Sequence, residues 1–375
     1  MTARSGQIHS YIQTVPDKRM VTDRILMTDP LKIKTFLRLG TDMGKFSFVN
    51  EDEYVYEWLE DTYAGTTDTV ASGLDSDSAA TTMVVTTANV FQPGDVVLIG
   101  TEQIWISALD STTATITRGW GSTTAATHAD ASTITVVSRA RIEGDDADNS
   151  PTVEVSSNYN YTQILQKTIQ VTRTKQKSNK YGITDLMDRE IDKAMDELLM
   201  FLNQVPYYGK RYVGTSSAAR YAGGLRTFIT DNLTDCSSAA LTRDHIDDTL
   251  QDIWNDGGDP NLIICGGWAQ RKINDFYEGF ITTDRLEDVG GIKINRLLHP
   301  ITGIELEIMT DRACPTNELW ILSTDKIAFY PFDDFFYEEL AKSGDYEKGE
   351  VVGEYGFVVA ADKHHGLVHT FSTSS

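Results

Sequence analysis

Between Thr184 and Val205 apolar residues recur in steps of three and four. Ile183, Met187, Ile191, Ala194, Leu198, Phe201 and Val205 form one row, and Leu186, Met195, Leu199 and Leu202 form a second. That spacing puts both rows on one broad face of an α-helix. At ~1.5 Å per residue the helix is about 33 Å long, well beyond the usual three turns, so the rest of the fold must be laid along it. Thr184 is placed to cap the first turn, Asp185 complements the helix dipole, and Pro206 is expected to end the hydrogen-bond ladder. On the opposite face Asp185 precedes Arg189, and Lys193 precedes Glu197, by four residues, which gives a solvated or subunit-facing surface.

Upstream of this strut, residues 1–45 carry Pro16 and Pro30 and little periodicity, and read as an extended arm with one short helix near Leu31 to Leu39. From Lys45 to Leu59 the period changes to two: Phe46, Phe48, Tyr54, Tyr56 and Trp58 alternate with Ser47, Glu53, Val55 and Glu57, as in a ribbon strand with an aromatic face. The expected partner is the alternating stretch at residues 161–175. Residues 62–137 are an island rich in Thr, Ser, Ala and Gly. They are broken into β-prone runs at Thr81–Thr87, Asp95–Ile99, Ile104–Ala108, Thr113–Thr117 and Thr133–Val137, with turn signals at Pro93–Asp95 and Gly119–Gly121. A small all-β domain inserted at a loop tip is expected there, because closure entropy grows slowly with loop length.

Downstream, Tyr207 to Asn232 is loop-rich. Leu241 and Thr242 then open an amphipathic helix with Ile246, Leu250, Ile253 and Trp254 facing the core, stopped by Gly257 and Gly258. A buried-type strand at Asn261–Cys265 and a helix at Trp268–Phe276 follow. Further strands are expected at Ile304–Met309, Glu318–Leu322 and Lys326–Leu340 and within Glu350–Phe371. Mixed helices and sheets of this order are an α+β class.

The chain offers no recognisable catalytic chemistry. There is no phosphate-binding glycine loop, GxSxG elbow, HExxH or CxxC, and no cofactor is called for. His364, His365 and His369 lie in a β-like segment, where a spacing of four does not bring two ligands together, so no metal site is expected. The pairs Asp247/Asp248, Asp333/Asp334 and Glu338/Glu339 could in principle serve glycoside hydrolysis, with Trp58 or Trp120 as a sugar platform. Among the chain's 55 acidic residues, however, such pairs arise by chance. No run approaches the roughly 18 apolar residues of a membrane span, and the N-terminus lacks the apolar core of a secretory signal. Cys236, Cys265 and Cys314 are too scattered for a disulfide framework. Synthesis in the cytoplasm is expected.

A formal charge of −22 argues against a general nucleic-acid coat. The charge is nevertheless segregated. Residues 1–50 carry eight basic against four acidic groups, residues 166–182 five basic and no acidic ones, and residues 51–65 six acidic and no basic ones. Segregation of this kind suits segments of one copy lying on another.

In order of parts the chain resembles the major capsid protein of tailed phages, the Hong Kong 97-type fold. The stretches EYVYEWLEDTYA, YTQILQKTIQVTRT, RYAGGLRTFITDN and GEYGFVVAADKHHGL carry the likeness, and residues 91–132 are similar to small β modules of phage structural proteins. The resemblance implies an N-terminal arm at 1–45, an extended β-ribbon loop at 46–65 and 138–180, and an inserted all-β domain at 66–137. It also implies a peripheral domain at 181–240 and 326–375 with spine helix 184–205, and an axial domain at 241–325. It implies a head shell of hexamers and pentamers around double-stranded DNA, held without sequence specificity on the inner face, and no membrane. A separate scaffolding protein, a portal and decoration proteins would be partners, and the virion the destination. Glu53, Glu57 and Trp58 on the outgoing strand and Arg173, Lys175 and Lys177 on the returning one are the expected subunit contacts. The rival readings are another virion component, tail or decoration, and a glycan hydrolase.

Overall fold

The computed structural model describes residues 33–40, 53–63, 65–74, 79–139, 143, 153–178, 185–278, 281–282, 295–298, 303, 305–342 and 344–373. The expected strand residues Phe46 and Phe48, Ile183 and the cap Thr184 lie outside them. The chain divides into two compact units, Met1–Trp58 with Tyr159–Ser375, and Leu59–Asn158. In chain order the elements begin with α1 (Lys34–Gly40) and β1 (Val55–Glu60). Six strands of the second unit follow: β2 (Thr67–Ser72), β3 (Thr82–Val85), β4 (Asp95–Ile99), β5 (Glu102–Asp110), β6 (Thr113–Thr117) and β7 (Thr133–Arg139).

These six close into a barrel in the order β2-β3-β6-β5-β4-β7. Closure leaves no strand edge exposed, and the period-two alternation sends Met83, Val85, Ile104, Ile106, Ala114, Ile116 and Ile134 inward. The outward positions are mostly Thr and Ser. Strand β2 escapes notice in the sequence because Val70 is its one fully inward apolar residue, flanked by Thr, Asp, Ala and Ser.

The chain then forms β8 (Ser156–Tyr161), β9 (Gln163–Thr172), α2 (Arg173–Lys177) and α3 (Leu186–Tyr208). Asp185 caps α3, its side chain accepting from the Met187 N–H at 2.7 Å. Pro206 does not end the helix, which runs on to Tyr208. A proline there forfeits one hydrogen bond in the last turn, and the turn is held from outside. Gly209 donates to the Val205 carbonyl at 2.8 Å, and the Gly224 backbone packs so close to the Val205 and Pro206 carbonyls that a Cβ would collide with them. The double glycine of RYAGGL is therefore the seat of the strut's C-terminal end. Met187, Ala194, Leu198, Leu202 and Val205 are buried as expected, whereas Phe201 is 54% exposed. Each large apolar side chain so buried is worth roughly 1.5–3 kcal/mol.

After α4 (Leu225–Phe228) and β10 (Leu233–Asp235) comes α5 (Arg243–Asn255), where Thr242 and His245 form a capping box. Ile246, Leu250 and Ile253 are fully buried, but Trp254 points outward, 53% exposed. Strand β11 (Leu262–Cys265) and α6 (Gly267–Phe276) follow, then β12 (Ile281–Thr282), β13 (Asn295–Leu298), β14 (Glu305–Thr310) and β15 (Glu318–Leu322). The chain closes with β16 (Ile327–Leu340), β17 (Tyr346–Val359) and β18 (Gly366–His369).

One sheet runs β10-β18-β15-β11-β14-β13-β12. Its β10 and β18 come from the segments 181–240 and 326–375, outside the stretch 241–325 that holds the other five strands. Both faces of this sheet are buried, so β11 reads Leu-Ile-Ile-Cys without alternation. Leu262 and Ile264 face the core that includes α3, while Ile263 and Cys265 face the core under α5 and α6.

The second sheet is β16-β17-β9, and β1 pairs with β8. The expected pairing of the aromatic strand with residues 161–175 is thereby corrected: β9 lies antiparallel to β17, Lys167 opposite Val351 and Thr172 opposite Tyr346. The same alternation fits either neighbour. Gly349, Gly353 and Gly356 on β17 leave room for the rings of Tyr337, Phe335 and Tyr56 against its backbone, an arrangement that any Cβ would block.

Candidate assembly surfaces

The outgoing strand β1 is pinned by its own alternation. Tyr56 and Trp58 are buried, and the Tyr56 hydroxyl accepts from the Phe357 N–H at 2.6 Å. Trp58 lies 5.3 Å from the Phe228 ring and stacks on Tyr56 at 6.3 Å. Trp58 thus fills this chain's own core and is withdrawn from the expected subunit contacts, because a ring 6% exposed has little surface left for a neighbour. Glu53 and Glu57 are exposed. Asn160, fully buried on β8, acts as a splice: its side chain donates to the Gly223 and Phe357 carbonyls at 3.0 and 2.7 Å and accepts from the Gly223 N–H at 2.8 Å.

The returning basic residues do not face the acidic strand. Lys167 pairs with Glu197 of α3, and Arg173 meets Asp345 at 2.7 Å with both side chains about two-thirds exposed. Lys175 and Lys177 are exposed on α2. The structure therefore leaves Glu53 and Glu57 at one place, and Arg173, Lys175 and Lys177 at another. Beside β1, Tyr54, Ile164, Val213 and Arg220 line an open hollow of about 450 Å³. Arg220 stands 4.7 Å over the Tyr54 ring and binds Glu354 at 2.6 Å.

Two of the acidic residues considered for chemistry are held in structural roles. Asp247 accepts from the Tyr277 hydroxyl and from Arg243 at 3.0 Å, Asp334 accepts from Tyr355 at 3.0 Å, and Glu338 and Glu339 lie exposed on β16. Among the described residues no group of three His, Cys, Asp or Glu side chains could hold a metal ion, and no helix is long and apolar enough to cross a membrane. Burial holds the Cys265 thiol up at about 12, an unreactive state.

His365 is fully buried. It accepts from the Ser323 N–H through Nδ1 at 3.2 Å, which leaves Nε2–H to donate to the Ala360 carbonyl at 3.1 Å. Burial pulls its pKa down to about 4, against the ordinary 6.5. The unfolded chain binds this proton first, so the contribution is complete above about pH 6.5 and is lost as pH falls toward 4. Urea unfolding of the unassembled subunit is expected to lose of the order of 3 kcal/mol from this group over that range. His365→Asn should be less stable at pH 7 and show a flatter slope between pH 6.5 and 5. An unchanged slope would mean another group governs it.

Two constellations were not anticipated from the sequence. In the barrel, Glu102 accepts from Arg118 through both carboxylate oxygens at 2.7 Å, from the Gly119 and Ala126 N–H groups at 3.1 Å each, and pairs with His128 at 2.9 Å. Its side chain is wholly buried. Burial by itself would raise the carboxyl, but the bonds from Arg118, Ala126, His128 and Gly119 overcome it and hold the group at about 2. A signal was present: Glu102 and Arg118 sit in phase with the inward residues of β5 and β6. In the other unit, buried Asp311 accepts from the Thr35 N–H and hydroxyl at 3.1 and 2.5 Å, from Asn203 at 2.9 Å and from the Ala313 N–H at 2.9 Å. It fastens α1 to the body.

Among curated proteins none matches the chain. The fold is similar to that of a subunit in the capsid asymmetric unit of Cyanophage A-1(L), at 11% identity and a TM-score of 0.57, covering 97% of this chain and 100% of that one. Looser likeness extends to a structure from Microbacterium phage Oxtober96, at 12% identity, TM-score 0.43 and coverage of 61% and 80%. A holo-SrpI encapsulin complex from Synechococcus elongatus PCC 7942 gives 9%, 0.43, 59% and 79%. The sequence itself matches the family described as SU10 major capsid protein from residue 7 to residue 372. With the match running over nearly the whole chain, the chain belongs to the SU10 major capsid protein family.

Proposed function

We propose that copies of this major capsid protein self-assemble, as hexamers and pentamers, into the icosahedral head shell of a tailed double-stranded DNA phage, and that the role has no catalytic step. The observation that carries this reading is the family match over nearly the whole chain. Apolar side chains left on the outside support it: Leu59 at 73% and Val155 at 54% exposure in one unit, and Phe201 and Tyr208 on α3 in the other, at 54% and 55%. Groups like these at a surface fit contacts that a neighbour covers. Tail and decoration roles fit a subunit of this family less well, and two of the acidic groups a glycan hydrolase would draw on, Asp247 and Asp334, are already engaged by Tyr277 and Arg243 and by Tyr355. The DNA would lie against the inner face without sequence readout. A separate scaffolding protein, a portal and decoration proteins complete the partners, with synthesis in the host cytoplasm and residence in the virion. Negative-stain microscopy of the expressed chain tests the reading: closed shells are expected, and only tubes or discrete small oligomers would overturn it.

Glu53 and Glu57 on one copy, and Arg173, Lys175 and Lys177 on another, are the charges assigned to contacts between subunits. An exposed ion pair contributes only ~0.2–1 kcal/mol, but a shell repeats it in every subunit, so the effect falls on association. The double change Lys175→Glu, Lys177→Glu should leave the melting of the unassembled subunit within about 0.5 kcal/mol of the parent. It should also cut shell yield several-fold, with a defect that varies with ionic strength. Parent-like yield at both low and moderate salt would show these lysines to be merely solvated.

A further inference from the structure

The barrel spends costly features on presenting one side chain. Trp120 is 41% exposed, and its ring stacks on that of Trp105 at 5.1 Å between centroids and 26° between planes. The turn that carries it contains Gly119, Gly121 and Ser122 at φ of 63°, 67° and 70°, and Ser122 is a non-glycine residue held in the left-handed region, where strain tends to mark function. A Cβ on Gly119 would run into the Thr123 carbonyl.

The turn is fastened from both ends. Gly119 donates to the buried Glu102, Thr123 donates through its hydroxyl to the Trp120 carbonyl at 2.9 Å, and the Gln103 N–H donates to that same hydroxyl at 3.1 Å. Arg118, next to the turn, is the ion-pair partner of Glu102. Part of this network also stabilises the barrel itself. A rigid indole, however, binds a ring without first having to be ordered.

The surroundings state what would bind. Trp105 points outward from β5 between Gln103 and Ser107, and faces Thr117 across the pair with β6, where Thr115 is the next outward residue. Residues 103–117 hold one charged side chain, Asp110, in a chain of net charge −22. A neutral patch of this kind on an acidic protein offers nothing to a polycation or to nucleic acid. Two indoles supply apolar faces for the C–H side of a sugar ring, and hydroxyl and amide groups supply partners for its rim. We propose that the barrel carries a saccharide-binding platform, built on Trp120 and Trp105 and flanked by Gln103 and Thr117, that takes the rings of a neutral polysaccharide.

The test is co-sedimentation of the full-length chain with insoluble chitin, cellulose, starch and yeast β-glucan, with heparin-agarose as the charged control. Retention is expected on at least one neutral polymer, released by its own soluble oligosaccharide. Trp120→Ala should lower the bound fraction at least tenfold and Trp120→Tyr less than threefold, while Trp254→Ala, an exposed indole of the other unit, should change nothing. Thr117→Val, which keeps shape and removes one hydroxyl, should weaken retention by severalfold and gives a second reading should Trp120→Ala fold poorly. The proposal is overturned by no retention on any of the four polymers, by retention that Trp120→Ala leaves intact, or by retention on heparin alone. Trp120-dependent capture of a protein without any polysaccharide binding would overturn it as well.

Discussion

Glu102→Ala is expected to destabilise the barrel by about 3–5 kcal/mol, the usual cost of removing one partner from a buried ion pair. The reason lies in what remains. Arg118, with a side chain 6% exposed, would keep its charge with no carboxylate opposite it, and the Gly119 and Ala126 N–H groups would lose their acceptor. Proteolysis mapped to residues 59–158 across a urea series reads the effect in that unit alone, and the cleavage midpoint should fall sharply. The double change Glu102→Met, Arg118→Leu should recover only the part of the loss due to the unpaired guanidinium. Apolar groups of similar volume replace a buried pair at little cost, while the Gly119 and Ala126 N–H groups stay without their acceptor. If the single variant shifts the midpoint by less than about 1 kcal/mol, water reaches the site and the pair is not buried in solution. The sign with pH is also set. The Glu102 carboxyl is lowered in the fold, from about 4.5 to about 2, so its contribution is complete above pH 4.5 and is lost as pH falls toward 2.

Asp311→Ala should undock α1. A seven-residue helix cannot hold itself together in water, and the free N–H groups of its first turn are capped by other elements: Thr35 by Asp311, and Phe36 by Asn203 at 2.8 Å. Because the Thr35 hydroxyl donates to Asp311, the Tyr207 hydroxyl donates to Thr35, at 2.6 Å. Loss of the carboxylate strands several buried donors at about 1–3 kcal/mol each. The total is capped by the docking free energy of the segment, since undocking returns those groups to water. Hydrogen exchange should therefore show protection lost over residues 33–40 and kept in α5 and α6. Asp311→Asn, which retains an acceptor, should lose less. Unchanged protection over 33–40 in the alanine variant would mean that the Phe36 ring, 5.1 Å from Phe329, and the Arg38–Glu307 pair hold α1 unaided.

These expected results rest on residues that pattern reading passed over, and the division has a physical basis. Local periodicity by itself determined α3 to within a few residues, the start of α5 at Leu241 and Thr242, the unalternating β11 and five of the six barrel strands. In each case, residues close in sequence share one face of one element. It also determined the order of parts from which the capsid resemblance was drawn. Pairing across long stretches was decided only in three dimensions. Strand β9 alternates equally well against β1 and β17, and the partner it takes in the fold lies almost two hundred residues away. Burial of single aromatic residues went the same way: how deeply Trp58 is covered and that Trp254 stays 53% exposed are set by the elements packed around them. Asp311 and Thr35 are 276 residues apart and Glu102 and Arg118 are 16 apart. A buried charge is recognised by the partners that satisfy it, and only the folded chain brings those partners within hydrogen-bond reach.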